Sequence, residues 1–247
     1  MILKDKNAIV TGANRGIGKS ILKVFAQNGA NIWACQRNPS NEFDKYKSQL
    51  EREFSIKIIP IYFDLGNSNQ MKKGVEIIKS SKVNIDILVN NAGEIFTALF
   101  QMTPVEKIEH MLQINYVSQM LFTQYISRQM MKQRFGNIVN VSSSAALYAN
   151  RGRVAYASSK AALITATKVL AKELGPYNIR ANVIAPGLTD TEMMRNSTSE
   201  DALNETTGRL CLKRVADPDE IAKSILFLSS DLSSYVTGHV LRVDGGM

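Results

Sequence analysis

Short apolar runs recur along the chain at Asn7 to Thr11, Ala30 to Cys35, Lys57 to Tyr62, Ile85 to Asn90, Asn137 to Val141, Arg180 to Ala185 and Val240 to Val243. The runs are continuous rather than alternating, the pattern of strands covered on both faces, and longer stretches with helical spacing separate them. Strands alternating with helices argue for parallel βαβ units. The pattern therefore predicts an α/β fold with one doubly wound sheet of about seven mostly parallel strands and helices on both faces. No Pro/Gly/Ser-rich linker or internal repeat interrupts it, so residues 1–247 read as a single domain. Two helix starts are marked by a cap residue, a proline and a glutamate: Thr103-Pro104-Val105-Glu106 and Asp217-Pro218-Asp219-Glu220. From Met111 to Arg134 apolar residues keep helical spacing, which predicts one long helix with a core face and an outer face.

Composition narrows this picture only slightly. Hydrophobic residues make up 45% of the chain and charged ones 21%, enough apolar content for a sizeable core. No stretch approaches the ~18 apolar residues of a membrane span, and the start MILKDKNAIV has charges where a signal peptide is apolar. The expectation is a soluble, cytoplasmic protein in which Cys35 and Cys211 stay reduced. A net charge of +8 raises the question of nucleic acid, but the 30 basic residues are scattered and form no stripe. His110 and His239 are the only histidines and sit in no Cys or acidic cluster, so no metal is assigned.

Candidate chemistry starts at Thr11-Gly12-Ala13-Asn14-Arg15-Gly16-Ile17-Gly18, between the first strand and a helix. Glycines there let backbone approach a diphosphate at the helix N-terminus, although the Gly-x-x-x-Gly-x-Gly spacing also fits a simple tight turn. After the second strand, no acid stands where an NAD binder holds the ribose hydroxyls. Arg15 and Arg37 instead offer guanidinium groups to a 2′-phosphate, which favours NADP. Asp64-Leu65 and Asn90-Asn91-Ala92-Gly93 close the third and fourth strands, on the rim where open sheets bind ligands. Tyr156 and Lys160 share one face of a predicted helix. A phenol with a pKa of ~10 exchanges protons poorly at neutral pH, and a neighbouring cation lowers that value.

TGANRGIG, NNAG, the serine-rich turn NVSSS, Tyr156-x-x-x-Lys160 and Pro186-Gly187, in this order, resemble the short-chain dehydrogenase/reductases from about residue 5 to the carboxyl end. AYASSK, IRANVIAPG and VTGHVLRVDGG are most similar to the 3-oxoacyl-acyl-carrier-protein reductases within that family. The resemblance implies a Rossmann-type domain that reduces a ketone, here a 3-oxoacyl thioester, with NADPH. It makes Tyr156 the acid/base and Lys160 the residue that lowers its pKa and binds the nicotinamide ribose. The usual spacing of thirteen residues before the tyrosine selects Ser143 from Ser142-Ser143-Ser144, and Asn115 matches the asparagine that kinks its helix and holds a relay water. It places Gly12, Asn14, Arg15, Gly16, Ile17 and Gly18 around the diphosphate and adenosine ribose, and Asp64 and Leu65 at the adenine. Asn91, Ala92 and Gly93 fall along the central cofactor, and Pro186, Gly187, Thr189 and Thr191 along the carboxamide.

The polar segment from about 190 to 214 matches the family's substrate lid, with a short packed helical excursion as the alternative. Arg151 and Arg153 precede the tyrosine, as surface residues or as partners of an anionic substrate group. Two positions depart from the relatives' pattern: Glu94 follows Asn-Ala-Gly, and Tyr177 stands where a basic residue that meets acyl carrier protein is common, while Arg134 keeps another. The family further implies a homotetramer built through the long helices and the last strand. The alternatives are a dehydrogenase of a sugar, steroid or small alcohol and, in another class, a non-catalytic dinucleotide sensor on the same fold.

Overall fold

The computed structural model describes residues 1–247. Seven strands form one sheet: β1 (Asn7–Thr11), β2 (Asn31–Gln36), β3 (Ile58–Tyr62), β4 (Ile87–Asn90), β5 (Gly136–Val141), β6 (Ile179–Pro186) and β7 (Val240–Val243). Their order is β3-β2-β1-β4-β5-β6-β7, and every pair is parallel. The chain reverses direction across the sheet between β1 and β4, the switch point at which open sheets form a ligand crevice.

Although the strands are apolar throughout, successive residues serve opposite cores. Ala8 and Val10 of β1 join the layer formed by α1 (Gly16–Gln27), α2 (Asn41–Phe54) and α10 (Pro218–Ser229), where Phe25, Leu22 and Ile225 are fully buried. Ile9, between them, packs with Trp33 and Leu88 against α3 (Ser68–Ser80), α5 (Ser118–Gln133) and α7 (Val154–Leu174), through Met71, Phe122 and Ile126. β3 lies at the sheet edge and tolerates Pro60, which needs no ladder donor on that side. Cys35 is buried in β2, Cys211 is exposed, and both are free thiols.

Three sequence expectations shift. β4 starts at Ile87 rather than Ile85, because the Gln133 side chain takes both backbone groups of Ile85, at 2.9 and 3.0 Å. The Asp217 box forms at the head of α10: Asp217 Oδ1 accepts from the Asp219 N–H at 2.8 Å and Glu220 Oε2 from the Asp217 N–H at 2.9 Å. The Thr103 box does not, since the Thr103 hydroxyl donates to the Ala98 and Leu99 carbonyls and α4 (Val105–Leu112) begins after an uncapped Pro104. The expected long helix is real but interrupted, as Gln113–Val117 forms a π turn between α4 and α5. No helix is long and apolar enough to cross a membrane.

Candidate functional site

At the carboxyl ends of β1 and β4 two turns are stitched together. The Thr11 hydroxyl accepts the N–H groups of Asn91 and Ala92 at 3.0 and 3.1 Å, and Asn91 Nδ2 donates to the Thr11 and Gly12 carbonyls at 3.0 and 3.2 Å. Gly12 has φ +66°, and a Cβ there would lie 2.9 Å from Ala92 Cα; one at Gly18 would collide with the Gly12 carbonyl oxygen. Neither position admits a larger residue, and the backbone at both is left bare. α1 starts at Gly16 with no side-chain cap and no acid in its first turn, so its free N–H groups and positive end face the crevice. This cradle fits a dinucleotide diphosphate. Asn14 is exposed beside it and Ile17 packs inward on the first core.

At the rim where Arg37 and Asp64 were expected to meet the adenosine, the geometry differs from the sequence expectation. Arg37 does not stand free: its Nε lies 3.3 Å from Asp64 Oδ2 and its Nη2 donates to Glu94 Oε1 at 3.0 Å. Glu94 Oε2 in turn meets His110 Nε2 at 2.8 Å. Burial works to raise the Glu94 carboxyl, but His110 and Arg37 together hold it below its ordinary value. Arg15 is also engaged, with Nη1 2.9 Å from Glu192 Oε2. Both arginines lie at the rim, each within reach of a carboxylate with which a phosphate would have to compete. Leu65 packs against the second core next to Asp64.

Around the next strands Asn115, Ser143, Tyr156 and Lys160 converge. Asn115 is fully buried in the π turn, and its amide is satisfied on both sides. Nδ2 donates to the Glu94 carbonyl at 2.9 Å and to Ser159 Oγ at 3.1 Å, while Oδ1 accepts the Glu94 N–H at 2.9 Å. Ser159 donates to the Tyr156 carbonyl at 2.7 Å, tying the π turn to α7. Gly93 sits in the angle between Asn115 and Lys160: a Cβ there would lie 2.9 Å from Asn115 Oδ1 and 3.3 Å from Lys160 Nζ. Lys160 Nζ donates to the Val141 carbonyl at 2.8 Å, and Ser142 Oγ to the Lys160 carbonyl at 2.9 Å. Ser142 is thus spent on structure, whereas Ser143 Oγ accepts only the Ala145 N–H, at 3.1 Å, and keeps its proton. Ser159 and Ser142 carry no sequence signal beyond small polar residues next to the motif positions.

The electrostatics correct one expectation. Burial pushes the Tyr156 phenol up, and the Ser143 hydroxyl and the Arg153 charge draw it back; Lys160 is not among the groups that move it. The reason is that Lys160 turns toward the end of β5 and is itself 3% exposed, so burial lowers its ammonium to about 8.

Pro186 ends β6, and the Gly187 N–H donates to the Val243 carbonyl at 2.9 Å. Thr189 is buried and pairs with Ala216 in an isolated parallel bridge. Between them the chain forms α8 (Glu192–Ser197), capped by the Thr191 hydroxyl, and α9 (Glu200–Arg209). The Thr191 methyl lies 3.1 Å from where a Gly16 Cβ would be, so this segment reaches across to the glycine turn.

Comparison with known proteins agrees with this geometry. A family model described as enoyl-(acyl carrier protein) reductase matches residues 12–247. The 3-oxoacyl-[acyl-carrier-protein] reductase of Thermotoga maritima is 40% identical over 247 residues, 100% of this chain and 99% of that protein. The chain is a short-chain dehydrogenase/reductase. Within that family it is also similar to a 3alpha-hydroxysteroid dehydrogenase of Mediterraneibacter gnavus, 36% identical over 99% of this chain and 98% of that one. The crystal structure of a 3-oxoacyl-[acyl-carrier protein] reductase from Brucella melitensis superposes with a TM-score of 0.90 at 29% identity, covering 100% of this chain and 92% of that one. Short-chain dehydrogenase/reductases are nicotinamide-dependent oxidoreductases, and the bare backbone of the cradle over α1 fits the diphosphate of such a cofactor.

Proposed function

We propose that this protein reduces a 3-oxoacyl thioester to the 3-hydroxyacyl thioester with NADPH, in the cytoplasm. The observation that carries the reading is the convergence of Asn115, Ser143, Tyr156 and Lys160 beside the Gly93 turn, in a chain 40% identical to a 3-oxoacyl reductase over its whole length. NADPH, when bound, supplies the hydride to the ketone carbon. Ser143 donates a hydrogen bond to the carbonyl oxygen as negative charge develops there. The Tyr156 hydroxyl gives that oxygen its proton, and burial keeps the phenol protonated for the task. Lys160, lowered to about 8, titrates close enough to neutrality to pass a proton onward, and Asn115 fixes the turn beside it. Gly12, Asn14, Arg15, Gly16, Ile17 and Gly18 hold the diphosphate end, Arg37, Asp64 and Leu65 the adenosine end, Asn91, Ala92 and Gly93 the centre, and Pro186, Gly187, Thr189 and Thr191 the carboxamide. Residues 190–214 act as the substrate lid. A cavity of about 490 Å³ lined by Leu99, Phe100 and Arg151 among others has room for an acyl arm.

Acyl carrier protein is the proposed partner, docking at Arg134, which is exposed but stacks on the Tyr177 ring at 5.8 Å and donates to the Pro176 carbonyl. Exposed Val117 and Val169 on the outer faces of the α4–α5 region and α7 support assembly of a homotetramer through these helices. The steroid dehydrogenase relative favours a second reading, a hydroxysteroid–ketosteroid couple. Following NADPH consumption with an acetoacetyl thioester, a 3-ketosteroid, a ketosugar and a crotonyl thioester separates these: the acetoacetyl thioester is expected to give the highest kcat/KM. A ketosteroid or ketosugar turned over faster would replace the reading.

A further inference from the structure

Arg153 is the N-cap residue of α7, three positions before Tyr156, and its guanidinium is half-buried with no carboxylate in ion-pair range. That sets it apart from Arg15, Arg37, Arg195 and Arg214, each of which faces an Asp or Glu. Its fork is held instead by neutral oxygens from two other parts of the cleft. Nη1 donates to Thr97 Oγ1, in the loop after β4; Nη2 donates to the Ser197 carbonyl at 3.1 Å and reaches Thr198 Oγ1 at 3.4 Å, between α8 and α9. The segment carrying Ser197 and Thr198 hangs from a narrow base, the Thr189–Ala216 bridge, and neither α8 nor α9 has a buried residue. It is fastened to the body by the Arg15–Glu192 pair at one end, by the Leu212 N–H on the Gly245 carbonyl at the other, and by Arg153 in the middle.

We propose that Arg153 is a positioning residue that couples the seating of the 190–215 segment to the proton-donating readiness of Tyr156. A guanidinium with no counter-charge keeps its field, and the neighbouring phenol feels it: Arg153 is the one charge that moves Tyr156. Ser143 from the loop after β5 is neutral, as are Thr97, Ser197 and Thr198, and Lys160 points to Val141. With the segment seated, water is kept from the guanidinium and its pull on the phenol is strong. With the segment raised, two of its three acceptors leave, water screens the charge, and the phenol becomes a weaker acid. The donor is thus sharpened only over a covered cleft.

The inference rests on the proposed role of Tyr156 but is read without substrate. Tyrosinate absorbance is titrated in each protein and in its Tyr156→Phe counterpart, and the difference reports Tyr156 alone. Arg153→Met, with Arg153→Gln as a second neutral variant, is expected to raise the Tyr156 midpoint by about one pH unit. Arg153→Lys, which keeps charge but not the fork, is expected to move it by less than half as much while raising KM for the ketone several-fold. Glu192→Gln, which loosens the segment without touching α7, is expected to shift the midpoint in the same direction as Arg153→Met. An unmoved midpoint in the neutral variants overturns the proposal. So does a midpoint that moves with Arg153→Met and not with Glu192→Gln, since Arg153 would then act without the segment. Failure of the parent to reduce any 3-oxoacyl thioester would strike the substrate reading and leave this titration as it stands.

Discussion

Burial pulls Tyr156 and Lys160 in opposite directions, raising the phenol and lowering the ammonium to about 8, so the ammonium loses its proton well before the phenol and the two titrate further apart than they do in water. The sequence showed these two groups only as a pairing on one helix face; the largest influence on each is the buried environment rather than the neighbouring charge. Arg37 shows the same limit. Its position past β2 was readable, but its partner Glu94 lies 57 residues away and meets it only through the fold. Two carboxylates already claim this guanidinium, so in the proposed NADPH complex its contribution to the 2′-phosphate would be a charge-assisted hydrogen bond less the pairs it gives up. Arg37→Ala is therefore expected to raise KM for NADPH by about 10-fold, as a hydrogen bond to a charged group is lost, with a much smaller change for NADH. Steady-state comparison of the two coenzymes checks this, and a parent enzyme that prefers NADH would reject it.

Among the elements, all seven strands were legible because parallel strands buried on both faces read as uninterrupted apolar runs. Ends were less so: nothing local reveals that Gln133 takes the place of a strand partner for Ile85. The two candidate capping boxes make the same point. Asp217 and Thr103 have equivalent sequence contexts, yet only Asp217 turns to its helix, because the Thr103 hydroxyl finds two carbonyls of the preceding turn. Asp217→Ala is expected to cost about 1 kcal/mol in denaturant unfolding. Thr103→Ala, with no cap to lose, is expected to stay within about 0.5 kcal/mol of the parent. Equal losses would mean that both boxes form. The π turn at Asn115 was expected as a kink from family resemblance, while the contact that explains it, Asn115 to Ser159, joins residues 44 apart.

At the scale of the molecule, two helical layers close over one sheet and leave the carboxyl ends of its strands to form the crevice. Carrying a buried ammonium there has a global consequence. Lys160 titrates at about 8 in the folded chain and at ~10.4 when unfolded, so between these values the unfolded state binds the extra proton. The folded state is therefore penalised below pH 8 and relieved as pH rises toward 10.5, by an amount on the order of 3 kcal/mol. Cys35 and the buried tyrosines act in the opposite sense but equally in parent and variant. The unfolding free energy of the parent minus that of Lys160→Met is expected to climb across this window, and a flat difference would contradict a buried charged lysine.

Tyr156 is the proposed proton donor in reduction of a 3-oxoacyl thioester. The most direct measurement of this role is single-wavelength loss of NADPH with an acetoacetyl thioester, in the parent and in Tyr156→Phe. Stoichiometric NADPH oxidation by the parent is expected, with a kcat lower by at least ~100-fold in the variant and binding of NADPH retained. Reduction by Tyr156→Phe at the parental rate would contradict this role.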